Sequence, residues 1–172
     1  EEAVLAWLKG GGRADATYER GGVSGITLLM GAAHHRHERV VELLMRHGAA
    51  VNLQDSVGGT ALMYGAASGH ERVVDLLIRR GAEINLQSDG GTALMMAAFF
   101  NHPAVMLRML RAGADAAARE EKGKTALQWA KEKGNAECVK VLAEAAATAD
   151  SRAGAGGASS GAAAAAAAVD AP

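Results

Sequence analysis

Sulfur–sulfur chemistry is the first thing this 172-residue chain cannot build, because Cys138 is its only cysteine. An intrachain disulfide framework is excluded, and a reducing compartment is the expected setting. Aromatic residues are almost as scarce, two each of Phe, Tyr and Trp. The core must therefore be assembled from Ala, Leu, Val and Met, which suits thin, closely stacked helices better than a globule around large rings. Charge of one sign is missing too. Eighteen Lys and Arg against nineteen Asp and Glu leave a formal charge of −1, and no Lys/Arg run exceeds two residues. The electrostatic footprint of a nucleic-acid binder is absent. No apolar run approaches the ~20 residues needed to span a bilayer, and no basic-then-apolar leader opens the chain. A soluble protein of the cytoplasm or nucleus, not inserted in a membrane, is expected. The first residue is Glu1 rather than Met, which leaves room for a larger parent protein.

What the chain does have is a repeat. The pattern T-x-L-M/Q occurs at Thr27–Met30, Thr60–Met63, Thr92–Met95 and Thr125–Gln128, with successive Thr residues 33, 32 and 33 positions apart. Other columns keep the same register: ten residues after Thr stand His37, His70, His102 and Asn135, and twenty-one after it Gly48, Gly81 and Gly113. A fixed period of this size marks an array in which each unit buries its apolar face on its neighbours. Each unit predicts two helices. The first carries small residues on one seam (Leu29, Ala32, Ala33; Leu94, Ala97, Ala98) and the second an apolar stripe (Val40, Val41, Leu44; Val73, Val74, Leu77). Glu42–Arg46 and Asp75–Arg79 are i,i+4 pairs in the favourable order. The recurring Gly closes the second helix, where a positive φ is wanted.

Thr60, Leu62, Ala66, Gly69, His70, Val73, Val74, Leu76, Leu77, Gly81, Ala82 and Asn85 together resemble the ankyrin repeat. That resemblance implies an all-α solenoid of helix-turn-helix repeats with short β-hairpin or loop fingers. It divides the chain into a degenerate N-terminal half-repeat and loop over 1–22 and a repeat domain over 23–147. The repeats run at about 25–57, 58–89, 90–122 and 123–147, and an Ala/Gly/Ser-rich tail over 148–172 is expected to be disordered. In the half-repeat Val4, Trp7 and Leu8 have helical spacing, and the following loop is about three residues longer than its counterparts, since Leu8 to Thr27 is 19 residues and Leu44 to Thr60 is 16.

Departures from the pattern are informative. Met30, Met63, Met95 and Gln128 replace the usual His, so the Thr–His hydrogen bond is lost and packing should replace it. Arg36 stands where Gly69 and Gly134 stand in other units, and Arg108 where Leu43, Leu76 and Val141 stand. The first and third units should be looser than the second for that reason.

The chain offers little to catalysis. Cys138 occupies the column of Val40, Val73 and Val105, a stack-facing position where a thiol is usually inert. No Ser/His/Asp arrangement, phosphate loop or paired carboxylates appear, so an enzyme is not expected and no cofactor is assigned. His34, His35 and His37 are spaced as metal ligands can be, but a structural zinc site wants four ligands, and the His37 column is accounted for by the repeat. No metal site is assigned.

Positions that vary while the framework repeats are the binding candidates. Four residues after Thr the chain reads Gly31, Tyr64, Met96 and Trp129, and seven and eight after it His34–His35, Ala67–Ser68, Phe99–Phe100 and Glu132–Lys133. By the resemblance, these offsets face the concave groove. The expected function is a non-catalytic protein–protein interaction module, acting as a monomer. Its protein or peptide partner would rest on Tyr64, Met96, Phe99, Phe100 and Trp129, with Gln54, Ser56, Gln87, Asp89, Arg119 and Lys122 of the fingers giving polar selection. Two alternatives stay open at this point: a regulatory or targeting fragment of a larger enzyme or channel, and a structural spacer with an unused groove. Trp129 could equally plug the end of the stack.

Overall fold

A computed structural model describes residues 1–155 of the chain. Helix α1 (Glu2–Lys9) is followed by a hairpin of β1 (Thr17–Arg20) and β2 (Val23–Thr27). Four helix pairs follow: α2 (Leu28–His34) with α3 (Glu38–Arg46), α4 (Ala61–Ala67) with α5 (Glu71–Arg79), α6 (Ala93–Phe99) with α7 (Pro103–Arg111), and α8 (Ala126–Lys133) with α9 (Ala136–Ala155). A minimal second hairpin, β3 (Gln87–Ser88) with β4 (Gly91–Thr92), precedes α6. First helices pack on first helices and second on second, unit to unit.

The longer first loop is the β1–β2 hairpin. It pairs Thr17 with Thr27 and Tyr18 with Ile26, slips register before Arg20, and turns at Gly21–Gly22 with φ of 60° and 80°, as a two-residue I′ turn requires. In α1, Leu8 is buried and Val4 half-buried, whereas Trp7 is 42% exposed.

The repeating Thr begins every first helix. The hydroxyls of Thr27, Thr60, Thr92 and Thr125 accept from the backbone N–H three residues on, at 3.2, 3.3, 3.4 and 3.4 Å. Such an N-cap contributes about 1 kcal/mol. In the first and last units the bond is reciprocated: the backbone N–H of Thr27 donates to Met30 Sδ at 3.3 Å, and that of Thr125 to Gln128 Oε1 at 2.8 Å. The loss of the usual His is therefore met by a polar contact there, and by packing alone at Met63 and Met95, which are buried.

The core is the expected one. Ala33, Ala66, Ala97, Ala98 and Ala130 are fully enclosed along the first-helix seam, and Val41, Leu44, Val73, Val74, Leu77, Met106 and Met109 along the second. Cys138 is enclosed with them, and burial pushes its thiol above the ordinary value. Gly48, Gly81 and Gly113 follow the second helices with φ of 84°, 88° and 97°.

Three expectations change. Asp75 and Arg79 form no ion pair, because Arg108 takes Asp75 and Glu71 instead, with Nε and Nη2 at 3.0 and 2.8 Å from Glu71 Oε2. Arg108 is thus a clamp from the third unit onto the second rather than a loose substitution for an apolar residue. Glu42 and Arg46 form none either among the described residues. Finally, α9 continues to Ala155, so residues 148–155 extend the last helix, while the rest of the expected disordered tail, 156–172, lies outside the described residues.

The left-handed position between paired helices is occupied by Gly69 and Gly134 at φ 73° and 71°, and by Arg36 and Asn101 at 59° and 62°. A side chain there costs ~1–2 kcal/mol, less for Asn than for Arg. Glycine adds back ~0.5–1 kcal/mol of chain entropy, and the Arg36–Glu38 pair at 3.8 Å is too exposed to matter much. Arg36→Gly should raise unfolding stability by roughly 0.5 kcal/mol, and Asn101→Gly by less. Urea denaturation of the two variants checks this, and a destabilised Arg36→Gly would contradict it.

Candidate functional site

Two of the finger loops between units are built on buried carboxylates. Asp55 lies in D-S-V-G-G-T and Glu120 in E-E-K-G-K-T, each five residues before the capping Thr, and both are 7% exposed. Asp55 Oδ1 accepts from the backbone N–H groups of Val57 and Gly59 at 3.0 and 2.8 Å, and its Oδ2 from the Tyr64 phenol at 2.7 Å. Burial and the Asp55 carboxylate raise the Tyr64 pKa far above its ordinary value, so the phenol stays protonated as a donor. Glu120 likewise accepts from the N–H groups of Lys122 and Lys124 at 2.9 and 3.1 Å. Those backbone bonds, that from Lys122 first, hold its carboxyl below the ordinary carboxylate value.

Neighbouring fingers are laced together by the polar residues expected to select a partner. Gln54 Nε2 donates to the carbonyls of Gly58 and Gln87 at 2.8 and 3.0 Å, Gln87 Nε2 to that of Arg119 at 3.1 Å, and Arg119 Nη1 to that of Gly123 at 2.7 Å. Ser56 Oγ accepts from the Ser24 N–H at 3.0 Å. Asp89 and Lys122 are exposed with no side-chain hydrogen bond among the described residues. Asn52 and Asn85 do the same job nearer the helices, each donating to the Gly carbonyl that ends the next unit's second helix, Gly81 and Gly113, at 3.2 and 3.3 Å.

The apolar candidates divide. Phe99, Phe100 and Trp129 come together: Phe99 stands edge-on to Phe100 at 4.9 Å and to Trp129 at 5.3 Å between centroids. Lys133 Nζ lies 4.1 Å from the Phe99 ring centre, and Lys124 Nζ 4.3 Å from that of Trp129 while also pairing with Glu132 at 2.7 Å. Phe99 and Trp129 are half-buried, and Phe100 is 51% exposed. Trp129 Nε1 is buried without a hydrogen-bond partner among the described residues. Tyr64 is separate from this cluster and tied to its finger. Met96 is half-buried against the finger backbone, where a Cβ on Gly90 would fall 2.5 Å from its methyl.

His34 and His35, at varying offsets but outside the chosen contact set, lie beside the hairpin. His34 and His35 stand edge-on at 4.7 Å, His34 faces Tyr64 at 6.1 Å, and the Ser68 hydroxyl is 2.9 Å from His34 Nδ1. They share the offset of Phe99–Phe100. The described residues contain no group of three or more His, Cys, Asp or Glu arranged to hold a metal. A hollow of about 890 Å³ lies between α1 and α2, lined by Val4, Tyr18, Leu28, Gly31, Ala32 and His35 among others. No described helix is long and apolar enough to cross a membrane.

Compared with known families, the chain matches the model for ankyrin repeats (3 copies) over residues 1–88 and 82–154. No curated protein matches it.

Glu120 makes the fingers acid-sensitive. A carboxyl whose pKa is depressed on folding adds stability above its unfolded value, and that stability is lost as pH falls through the folded value. Wild type should therefore lose urea resistance as pH falls below the ordinary glutamate range, and Glu120→Gln should lose less over the same interval. Equal acid slopes for the two proteins would contradict the assignment.

Proposed function

From the chain's membership of the ankyrin-repeat family, whose repeats generally serve protein–protein interaction without catalysis, we propose that this domain, as a monomer, binds a protein or peptide along its concave groove. The observation that carries the reading is Phe100, half exposed beside Phe99 and Trp129 in a chain with six aromatic residues. An exposed ring among apolar neighbours is a weak contributor to folding and a strong anchor for binding. The three rings form the floor at one end, with Met96 and Tyr64 continuing it. Lys124 and Lys133 border the rings, and Asp89 and Lys122 project from the fingers as the least engaged of the proposed polar contacts. Gln54, Ser56, Gln87 and Arg119 serve first to hold the fingers in line, so their part in selection is through backbone shape more than through free side chains. A spacer with an idle groove would be expected to tuck both Phe residues away, and the exposure of Phe100 favours the binding reading.

The test is a paired measurement on Phe100→Ala, using a binding partner recovered by affinity capture with the intact chain. Affinity should fall by about thirtyfold or more, while folding stability should change by under ~1 kcal/mol, as for a surface site. A collapsed melt with affinity retained would make Phe100 a folding residue and remove the proposal.

A further inference from the structure

Where the first hairpin leans over α2, it encloses a cavity of about 180 Å³. Buried Ile26 and Met30 make its floor, and its exposed edge carries Tyr18, Arg20, His34 and His35, with half-buried Tyr64 beside them. These are groove positions, since His34, His35 and Tyr64 occupy the same offsets as Phe99, Phe100 and Trp129. The cavity is basic and lacks a carboxylate of its own. Glu19, between Tyr18 and Arg20 on β1, does not line it. Asp55 stands behind Tyr64 with both oxygens already engaged, by the phenol and by two backbone N–H groups. Arg20 has no ion pair among the described residues.

Resting on the groove reading, we propose that this cavity seats the carboxylate of a Glu or Asp side chain of the bound peptide, held by the Arg20 guanidinium and the His34 and His35 rings. The cavity offers an apolar base for the methylene stem and donors for the carboxylate, and charge complementarity selects the occupant. The peptide would then present an acidic residue to the hairpin end of the groove and an apolar or aromatic one to the Phe100 end.

Proton linkage follows from the groups that face His34: Arg20 and Tyr18 from β1, His35 beside it, Tyr64 and Ser68 from the next unit with Asp55 behind Tyr64, and His70 at the start of α5. Burial first, then the charges of His35, Arg20 and His70, hold the His34 pKa below its ordinary value. A seated carboxylate offsets that repulsion and raises it. Binding therefore takes up a proton and tightens as pH falls, by at most about tenfold per pH unit for one linked proton.

The experiment follows histidine ring signals by NMR in the intact 172-residue chain. N-acetyl-glutamate amide is titrated in, then its neutral glutamine counterpart and inorganic phosphate, at pH about 6 and about 8. The His34 and His35 signals should respond saturably to the glutamate probe, more tightly at the lower pH, and not to the glutamine probe. Arg20→Gln should weaken the response roughly fivefold without altering the melt, and His34→Gln should reduce its pH dependence. The assignment is overturned by no saturable response, by an equal response to glutamine, by an Arg20→Gln protein that binds as well as wild type, or by saturation with phosphate alone. Such a failure would leave the groove reading standing or falling on Phe100→Ala, which does not touch this cavity.

Discussion

One hydrogen bond, repeated from unit to unit, sets the spacing of the stack. His70 Nε2 donates to the carbonyl of His34 at 2.9 Å, His102 Nε2 to that of Ala67 at 3.0 Å, and Asn135 Nδ2 to those of Ala98 and Phe99 at 2.7 and 3.2 Å. Each reaches back from the start of a second helix to the end of the preceding unit's first helix. That is where a helix leaves carbonyls without partners. The same geometry explains why His70 and His102 sit at helix N-caps without capping through their side chains. Their rings are committed to the neighbour. With Asn52 and Asn85 lacing the other end, the first three units are joined by polar bonds on both sides of an apolar seam, and register along the array is fixed by bonds that tolerate little slip.

The division of labour within a unit follows from this. Columns that build the seam are small or aliphatic and buried, and the columns that bond across it are polar and repeated. What remains, at four, seven and eight residues after each Thr, differs from unit to unit. In the second unit those places hold Tyr64, Ala67 and Ser68, in the third Met96, Phe99 and Phe100. These positions are histidines beside the hairpin and aromatic, bordered by lysines, in the third and fourth units, on a framework that repeats between them.

Most of the architecture was legible because periodicity reports burial directly. The Thr column, the closing Gly and the Ala seam each have a local physical reason that survives into the fold. Most of the missed features join residues far apart in sequence. Arg108 looked like a flaw in an apolar column, since nothing local announces that Glu71 and Asp75 lie across from it. Gln54, Ser56 and Gln87 read as free polar residues, because hydrogen bonds from finger to finger leave no mark in one finger's composition. Tyr18 and Arg20 fall in the hairpin that breaks the repeat register, so no column pointed to them. Met30 looked purely apolar, although its sulfur takes the place of the reciprocal cap.

The central claim is that stability resides between repeats, so an inner unit, sealed on both faces, should be the last to open, and the second is the one that also receives the Arg108 clamp. Native-state hydrogen exchange tests it most directly. The amides of Val73–Leu77 in α5, where Val73, Val74 and Leu77 are fully buried and the Arg108 clamp lands, should exchange most slowly in the chain. Slowest exchange in the first or the fourth unit would contradict the account.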